Sequence, residues 1–397
     1  MWCVSRPEWT CRVDEGAAGL AHVRWAPCSR HVLTISELGV RATVWSLGDR
    51  ARCAIGAPKH WDGRGVSFGG ERAVPADSAD AAAVAATPNS GAWMAVLERA
   101  GCKDYVAVYD ASTFALAARF PTTTADAADL AWSPDGTAIA VWDSPLEHRV
   151  MLHAPDGAPL GEYSAYSGAL GIKSVCWAPG GQLLAVGSYD EKLRVLNHLT
   201  WQPLAECAHP TTVRSPEGAV VYKELVERPE LAPEEAAERA RDPTAAAAAA
   251  ARRGRYVVCA LPESVPVARP PAGKANPRLG VGRLAWSPDG AYLATVNDNM
   301  AGTVWVWDMR ALSLAAVLLH AEPIAAARWD PEPTTARLAI ATGEGRVGLW
   351  TPEGVSCVHV PLPGFKCTDL QWNPCPPGGQ PSFVLTDRGS LTVAFME

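Results

Sequence analysis

Trp286-Ser287-Pro288-Asp289-Gly290 is a phrase that the chain repeats: Trp132-Ser133-Pro134-Asp135-Gly136 is a second copy and Trp177-Ala178-Pro179-Gly180-Gly181 a close third. Trp25-Ala26-Pro27, Trp329-Asp330-Pro331 and Trp372-Asn373-Pro374 keep its first three residues. Trp132 and Trp177 stand 45 residues apart, Trp286 and Trp329 43, and Trp329 and Trp372 again 43. A fixed period of about 40 to 45 residues is the signature of propeller blades built from four short strands. The two longer intervals fit the same unit once surplus is removed. From Trp25 to Trp132 are 107 residues, with a worn anchor at Val66-Ser67-Phe68-Gly69-Gly70 and an Ala-rich inserted loop at 71–90. From Trp177 to Trp286 are 109 residues, with a long insertion at 211–280.

Within a unit the pattern is strand, turn, strand. Lys173-Ser174-Val175-Cys176-Trp177 alternates toward the anchor, and Leu183 to Ser188 is an apolar run. Tyr189-Asp190-Glu191-Lys192 is a hairpin turn, and Leu193-Arg194-Val195-Leu196 alternates again. Pro-Asp-Gly suits the reverse turn after each anchor, because proline presets φ and glycine tolerates positive φ. Third strands end at Val44-Trp45-Ser46, Val108-Tyr109-Asp110, Val306-Trp307-Asp308 and Leu349-Trp350. A fourth strand is expected in each connecting segment. The fold class is therefore all-β, a WD40-type β-propeller of about seven four-stranded blades over residues 1–397, with two Ala-rich insertions. Only Trp307-Asp308 is a literal Trp-Asp at the end of a third strand. Glu8 to Val13 reads as an outer strand without partners before it, able to complete a last blade that stops at Phe395. Such pairing would remove an exposed sheet edge.

The 397 residues carry a net charge of −7 with pI near 5.8, which supplies no basic field for nucleic acid or anionic membrane. Met1-Trp2-Cys3-Val4-Ser5-Arg6 lacks the apolar core of a signal peptide, and no run reaches membrane-spanning length. A soluble protein of the cell interior is expected, with its eleven scattered cysteines reduced. The middle of the long insertion, 229–255, has few large apolar residues and predicts a disordered or helical excursion.

Motifs for chemistry are sparse. Gly65-Val66-Ser67-Phe68-Gly69 matches Gly-x-Ser-x-Gly, but it falls on a blade anchor rather than a strand-to-helix elbow. Phosphate-loop, Cys-x-x-Cys and His-Glu-x-x-His motifs are absent, and Cys367 and Cys375 have no neighbouring ligands in sequence. His209 and His320 stand just before first strands, where a structural hydrogen bond is expected. Trp142-Asp143 closes a second strand and reads as core. No enzyme, cofactor, metal or small-molecule substrate is indicated. A protein-contact surface is placed on Tyr163, Tyr166, Lys173, Tyr189, Asp190, Lys192, Arg194, Asn197, His198 and Trp201, where aromatic and charged residues cluster at turns. The same residues also fit a turn whose aspartate braces the blade and a solvated strand face.

Several stretches between the anchors resemble the WD repeat-containing protein 8 family, centrosomal and spindle-pole proteins encoded antisense to the p73 gene. They include Pro7 to Gly16, Leu97-Glu98-Arg99 with Cys102 to Val106, Leu170 to Val175, Ala185 to Asp190, Leu196 to Trp201, Val221 to Glu224, and Ala275 to Gly282. A propeller does not require these residues, so they discriminate among its members. The resemblance implies a non-catalytic scaffold at the centrosome, basal body and spindle pole, in the cytoplasm and cytoskeleton. Its implied partner is a coiled-coil anchoring protein of the SSX-interacting type, with a minus-end-directed kinesin as a further one, and its role is to organise microtubule minus ends, spindle and cilium assembly. Members of that family carry about two further repeats before Pro7-Glu8-Trp9, which implies a version lacking N-terminal repeats. The alternative is a substrate receptor of a cullin-type ubiquitin ligase, resting on Trp307-Asp308-Met309-Arg310, which fits the Trp-Asp-x-Arg adaptor-docking pattern.

Overall fold

The computed structural model describes residues 1, 8–27, 30–37, 41–48, 50–56, 58–69, 93–214, 219–227, 253–270, 277–332, 334, 336–362, 364–373 and 380–396. Among them, helix is confined to two single turns, Gly16–Ala18 and Asp298–Met300. Everything else of regular structure is strand, and consecutive strands pair antiparallel into seven meander sheets. These are the blades of a propeller, as the repeat period predicts.

The chain divides into two compact units, Met1–Ala169 and Leu170–Glu397. The first holds blade 1 (His22–Trp25, His31–Ile35, Ala42–Ser46, Arg52–Ile55), blade 2 (Val66–Gly69, Trp93–Ala100, Lys103–Asp110, Leu116–Pro121) and blade 3 (Ala127–Trp132, Ile139–Asp143, Val150–His153, Pro159–Tyr163). The second holds blade 4 (Ile172–Trp177, Leu183–Ser188, Lys192–Asn197, Pro203–Ala208) and blade 5 (Val281–Trp286, Tyr292–Asn297, Thr303–Asp308, Ser313–Leu319). Blade 6 (Ala326–Trp329, Leu338–Ala341, Arg346–Thr351, Gly354–His359) and blade 7 (Asp369–Asn373, Ser382–Thr386, Leu391–Phe395) follow.

The core lies between neighbouring sheets. Second and third strands of blades 1 to 6 are largely buried on both faces, as in Ile139–Asp143, and therefore read as apolar runs, whereas the third strand of blade 7, Leu391–Phe395, is half exposed. One apolar cluster joins blades 4 and 5 through Leu193, Leu293, Trp305 and Trp307, and another joins blades 5 and 6 through Val304, Leu318, Leu338 and Trp350.

The repeated phrase does two jobs. Its turn is locked by side chains: Ser287 Oγ donates to Asp289 (2.6 Å) and accepts from the Tyr292 N–H (2.8 Å), while the Gly290 N–H reaches the Ser287 carbonyl (2.9 Å). Gly290 sits at φ 71°, where glycine carries no Cβ penalty. Its tryptophan then stitches blades together. The indole N–H of Trp286 donates to the Cys176 carbonyl (3.2 Å), that of Trp329 to Ala285 (2.8 Å) and that of Trp372 to Arg328 (3.0 Å). Each acceptor is the residue just before the anchor tryptophan of the preceding blade. Replacing Ser287, fully buried, with alanine leaves the Tyr292 N–H without its acceptor; we expect a loss of about 1–3 kcal/mol in denaturant unfolding.

Three expectations need correction. Among the described residues blade 7 has three strands rather than four, and Glu8 to Val13 is not a strand: Thr10 forms only an isolated bridge, and Cys11 lies outside the strands, exchanging backbone hydrogen bonds with Met1 (2.8 and 3.0 Å). Part of the insertion at 211–280 is woven into the fold. Thr212–Val213 pairs with Glu263–Ser264, and Val220–Glu227 with Arg253–Val258 forms a hairpin. That hairpin adds to blade 5 in parallel, with Val220 opposite Ala316 and Lys223 opposite Leu319, making a sheet of six strands. The strand beginning at Arg253 contradicts the disordered or helical reading for the last three residues of 229–255. The loop at 71–90 and the segment 229–252 lie outside the described residues.

Candidate functional site

The ten residues expected to form a contact surface fall in both units. In the first, Tyr163 ends the last strand of blade 3, is buried, and meets His148 edge-on at 5.9 Å. Tyr166 lies on the other contact of the same imidazole, at 4.4 Å. In the second, blade 4 carries the remaining eight. Lys173 Nζ reaches Asp298 (2.7 Å) and the Leu279 carbonyl (2.7 Å) and stands 4.8 Å over the Tyr189 ring. Arg194 is only 4% exposed and is held by Asp190 (2.6 Å) and Glu206 (3.0 Å), while Lys192 also pairs with Glu206. Asp190 further accepts the Lys192 N–H (3.2 Å).

Asp190 thus braces the turn of its blade. Asn197 caps the next turn through the Leu199 N–H (2.7 Å), and His198 Nδ1 lies 3.0 Å from the Gln182 carbonyl. Trp201 is buried edge-on against Trp177 at 6.1 Å. Tyr163, Tyr189, Arg194 and Trp201 are consumed by the fold and offer no free surface. A docking surface on all ten is therefore not what the geometry provides. Hydrogen-bonded charged partners make burial of Arg194 tolerable, and a sequence cannot show which turn charges are so paired.

The histidines behave as expected. His209 enters between blades 4 and 5, with Nε2 at 2.8 Å from Thr295 Oγ1 and Nδ1 at 2.8 Å from the Glu191 carbonyl, and Trp307 Nε1 donates to the same threonine (3.0 Å). Blade 1 builds the equivalent set with a carboxylate: Thr34 donates to Glu15, and Trp45 donates to Thr34 (2.8 Å) and Glu15 (3.2 Å). Glu15 leaves no local signal in the chain because its partners lie 19 and 30 residues on.

Burial drives the His209 imidazole down from 6.5 to about 4 against the pull of the Glu191 carbonyl, and His320 is likewise driven to about 4 by burial, opposed by the Glu224 charge. A depressed folded pKa means that the unfolded chain takes up the proton first. The stability from neutral burial is complete above about pH 6.5 and is lost as pH falls toward 4, by about 3 kcal/mol per histidine at 1.36 kcal/mol per unit. The expected unfolding midpoint is level from pH 8 to 7 and declines below, with a shallower decline in His209→Gln.

Chemistry of other kinds finds little support in the described residues. Ser67 lies on a strand, and its hydroxyl accepts the Trp132 N–H (3.0 Å), so it is a blade contact rather than an elbow nucleophile. Burial raises the thiols of Cys176, Cys207, Cys357 and Cys367 to about 11, away from the reactive thiolate. No group of three metal-ligating side chains occurs among the described residues, and Cys375 lies outside them. Trp142 and Asp143 are buried on their strand, as read. Arg310 in Trp307-Asp308-Met309-Arg310 is 74% exposed, with Asp289 at 3.4 Å.

Comparison with known proteins adds to this geometry. The family described as WD domain, G-beta repeat matches residues 157–197 and 275–308. The second segment contains the first three strands of blade 5 and the literal Trp307-Asp308. The mouse protein named WD repeat-containing protein WRAP73 is 39% identical over 378 residues, covering 94% of this chain and 76% of the relative. An uncharacterised WD repeat-containing protein of Schizosaccharomyces pombe is 21% identical over 398 residues, covering 95% of this chain and 72% of its own length. Among solved structures, a chain of the mitotic checkpoint complex overlaps 96% of this chain and 90% of its own with a TM-score of 0.49 and 12% identity.

Proposed function

The chain belongs to the family of WD-repeat proteins that includes mouse WRAP73, and from that premise we propose that it is a non-catalytic scaffold of the WD repeat-containing protein 8 type. It would work at the centrosome, basal body and spindle pole, holding a coiled-coil anchoring protein of the SSX-interacting type, with a minus-end-directed kinesin as a further partner, to organise microtubule minus ends, the spindle and the cilium. One observation carries the reading: the 39% identity extends over 94% of the chain, far beyond what the two matched repeats demand. The architecture is suited to it. Rigid sheets tied by buried indole hydrogen bonds present loops and rims on which partners dock.

Arg310 supports a second reading, as a substrate receptor of a cullin-type ubiquitin ligase, because its guanidinium is 74% exposed at the end of the Trp-Asp-x-Arg motif. Proximity labelling with a tagged chain separates the two. Enrichment of a coiled-coil centrosomal protein, unchanged by Arg310→Ala, is expected. Recovery of a ligase adaptor that disappears in Arg310→Ala would favour the receptor instead and overturn the scaffold reading.

A further inference from the structure

The hairpin strand Val220–Glu227 begins pairing at Ala316, whereas the blade 5 strand starts at Ser313, so among the described residues no strand pairs with Ser313 to Ala315 on that side. There a cavity of about 260 Å³ opens in the second unit, lined by Tyr222 of the hairpin, Tyr292 and Asp308 of blade 5, and Trp350 of blade 6. Three aromatic residues thus share one small cavity with one carboxylate. The Tyr292 ring meets Trp350 edge-on at 5.4 Å and stacks on Trp329 at 6.3 Å, which fixes that wall in place.

The charge around this cavity is one-sided. Burial is the leading cause that holds the Tyr292 phenol above the usual range, the charges of Asp308, Asp289 and Glu353 act in the same sense, and Arg310 acts against them. Arg310 lies 3.4 Å from Asp289, and among the described residues neither Asp308 nor Glu353 forms an ion pair. Asp308 spends Oδ1 on the N–H groups of Arg310 (2.8 Å) and Ala311 (3.2 Å); its Oδ2 has no hydrogen bond or ion pair among the described residues. Glu353 is exposed.

We infer that this cavity is a binding site for a cationic side chain, an arginine of a partner polypeptide, held by the aromatic walls of Tyr222, Tyr292 and Trp350 and by the Asp308 carboxylate. A guanidinium suits both features, because it stacks on aromatic faces, is weakly hydrated and pairs with carboxylates through a planar fork. An aliphatic side chain would gain the walls but leave the carboxylate uncompensated. The inference goes beyond the scaffold reading and holds for whichever partner supplies the residue.

The test uses the full chain and ligand-observed NMR with acetyl-Gly-Arg-Gly-amide as probe and its norleucine counterpart as control. Saturable binding of the arginine peptide alone is expected. Asp308→Asn keeps the turn acceptor and removes the charge, and should weaken binding five- to tenfold; Glu353→Gln, at an exposed position, should weaken it two- to threefold even if the first variant folds poorly. Tyr222→Leu should weaken it while leaving the unfolding midpoint within a few degrees. Equal binding of the norleucine peptide, no saturable binding, or unchanged affinity in folded Asp308→Asn or Glu353→Gln would overturn the site. Because the titration is made on isolated protein, its failure is distinguishable from failure of the cellular role.

Discussion

Arg346→Ala should destabilise the second unit by about 3–5 kcal/mol, the usual cost of breaking a buried ion pair by removing one partner. Arg346 on blade 6 donates through Nε to Glu224 Oε1 (2.5 Å), and both side chains are nearly inaccessible, at 3% and 2% exposure. Glu224 Oε2 accepts the Ala321 N–H (3.0 Å), so this pair fastens the added hairpin to blades 5 and 6 together. Two glycines make room for it. A Cβ on Gly254 would stand 2.9 Å from Arg346 Cδ, and one on Gly348 only 2.4 Å from the Tyr256 hydroxyl. Without Arg346, the Glu224 carboxylate would remain buried with the Ala321 N–H alone.

The combined variant Glu224→Gln/Arg346→Met should recover most of that loss, since it leaves no buried charge. If the single and double variants unfold at the same denaturant concentration, the pair is not what holds the hairpin. Protonation makes the same point. Burial works to raise the Glu224 pKa, but the Arg346 hydrogen bond and charge and the Ala321 N–H outweigh it, and the net direction is down. A carboxylate lowered in the fold contributes stability above its unfolded pKa of about 4.5 and loses it as pH falls below. Acid should therefore narrow the gap between wild type and Arg346→Ala.

Trp305→Ala is the second large effect, again about 3–5 kcal/mol, from a cavity that the surrounding sheets cannot close. Trp305 is wholly buried on the third strand of blade 5, stacks on Trp307 at 6.3 Å, and meets His209 edge-on at 5.3 Å. It belongs to the apolar cluster that joins blades 4 and 5 and takes in Val213 and Val265 from the 211–280 stretch. Its indole N–H has no hydrogen bond among the described residues, so Trp305→Phe should cost far less, about 1 kcal/mol. Denaturant midpoints of the two variants decide this. A phenylalanine as damaging as alanine would mean that the indole nitrogen has a partner and that burial alone does not account for the effect.

What the sequence could convey follows from where its signals are local. Blade strands are written in short alternating runs, and their turns in Ser-Pro-Asp-Gly, because these depend on residues within a few positions of each other. The anchor phrase therefore placed every blade, including the worn one at Val66–Gly69. Val220–Glu227 escaped, although its residues suit a strand, because its partner Ser313–Leu319 lies over 90 residues away and the pairing is parallel. The candidate contact residues misled for a related reason. Arg194 and Tyr189 have the composition of an interface, yet Asp190, Glu206 and Lys173 hold them inside the blade, and pairing of that kind leaves no trace in composition. The cavity at Tyr222, Tyr292, Asp308 and Trp350 was beyond reach because three separate sheet elements meet there.

We propose a scaffold that acts at microtubule-organising poles. Imaging of a fluorescently tagged chain expressed at native level, in dividing and in ciliated cells, tests it most directly. Focal signal at spindle poles and basal bodies that persists in Asp308→Asn and Arg310→Ala is expected. Diffuse signal with no enrichment at either structure, in cells where the tagged chain is intact, would contradict it.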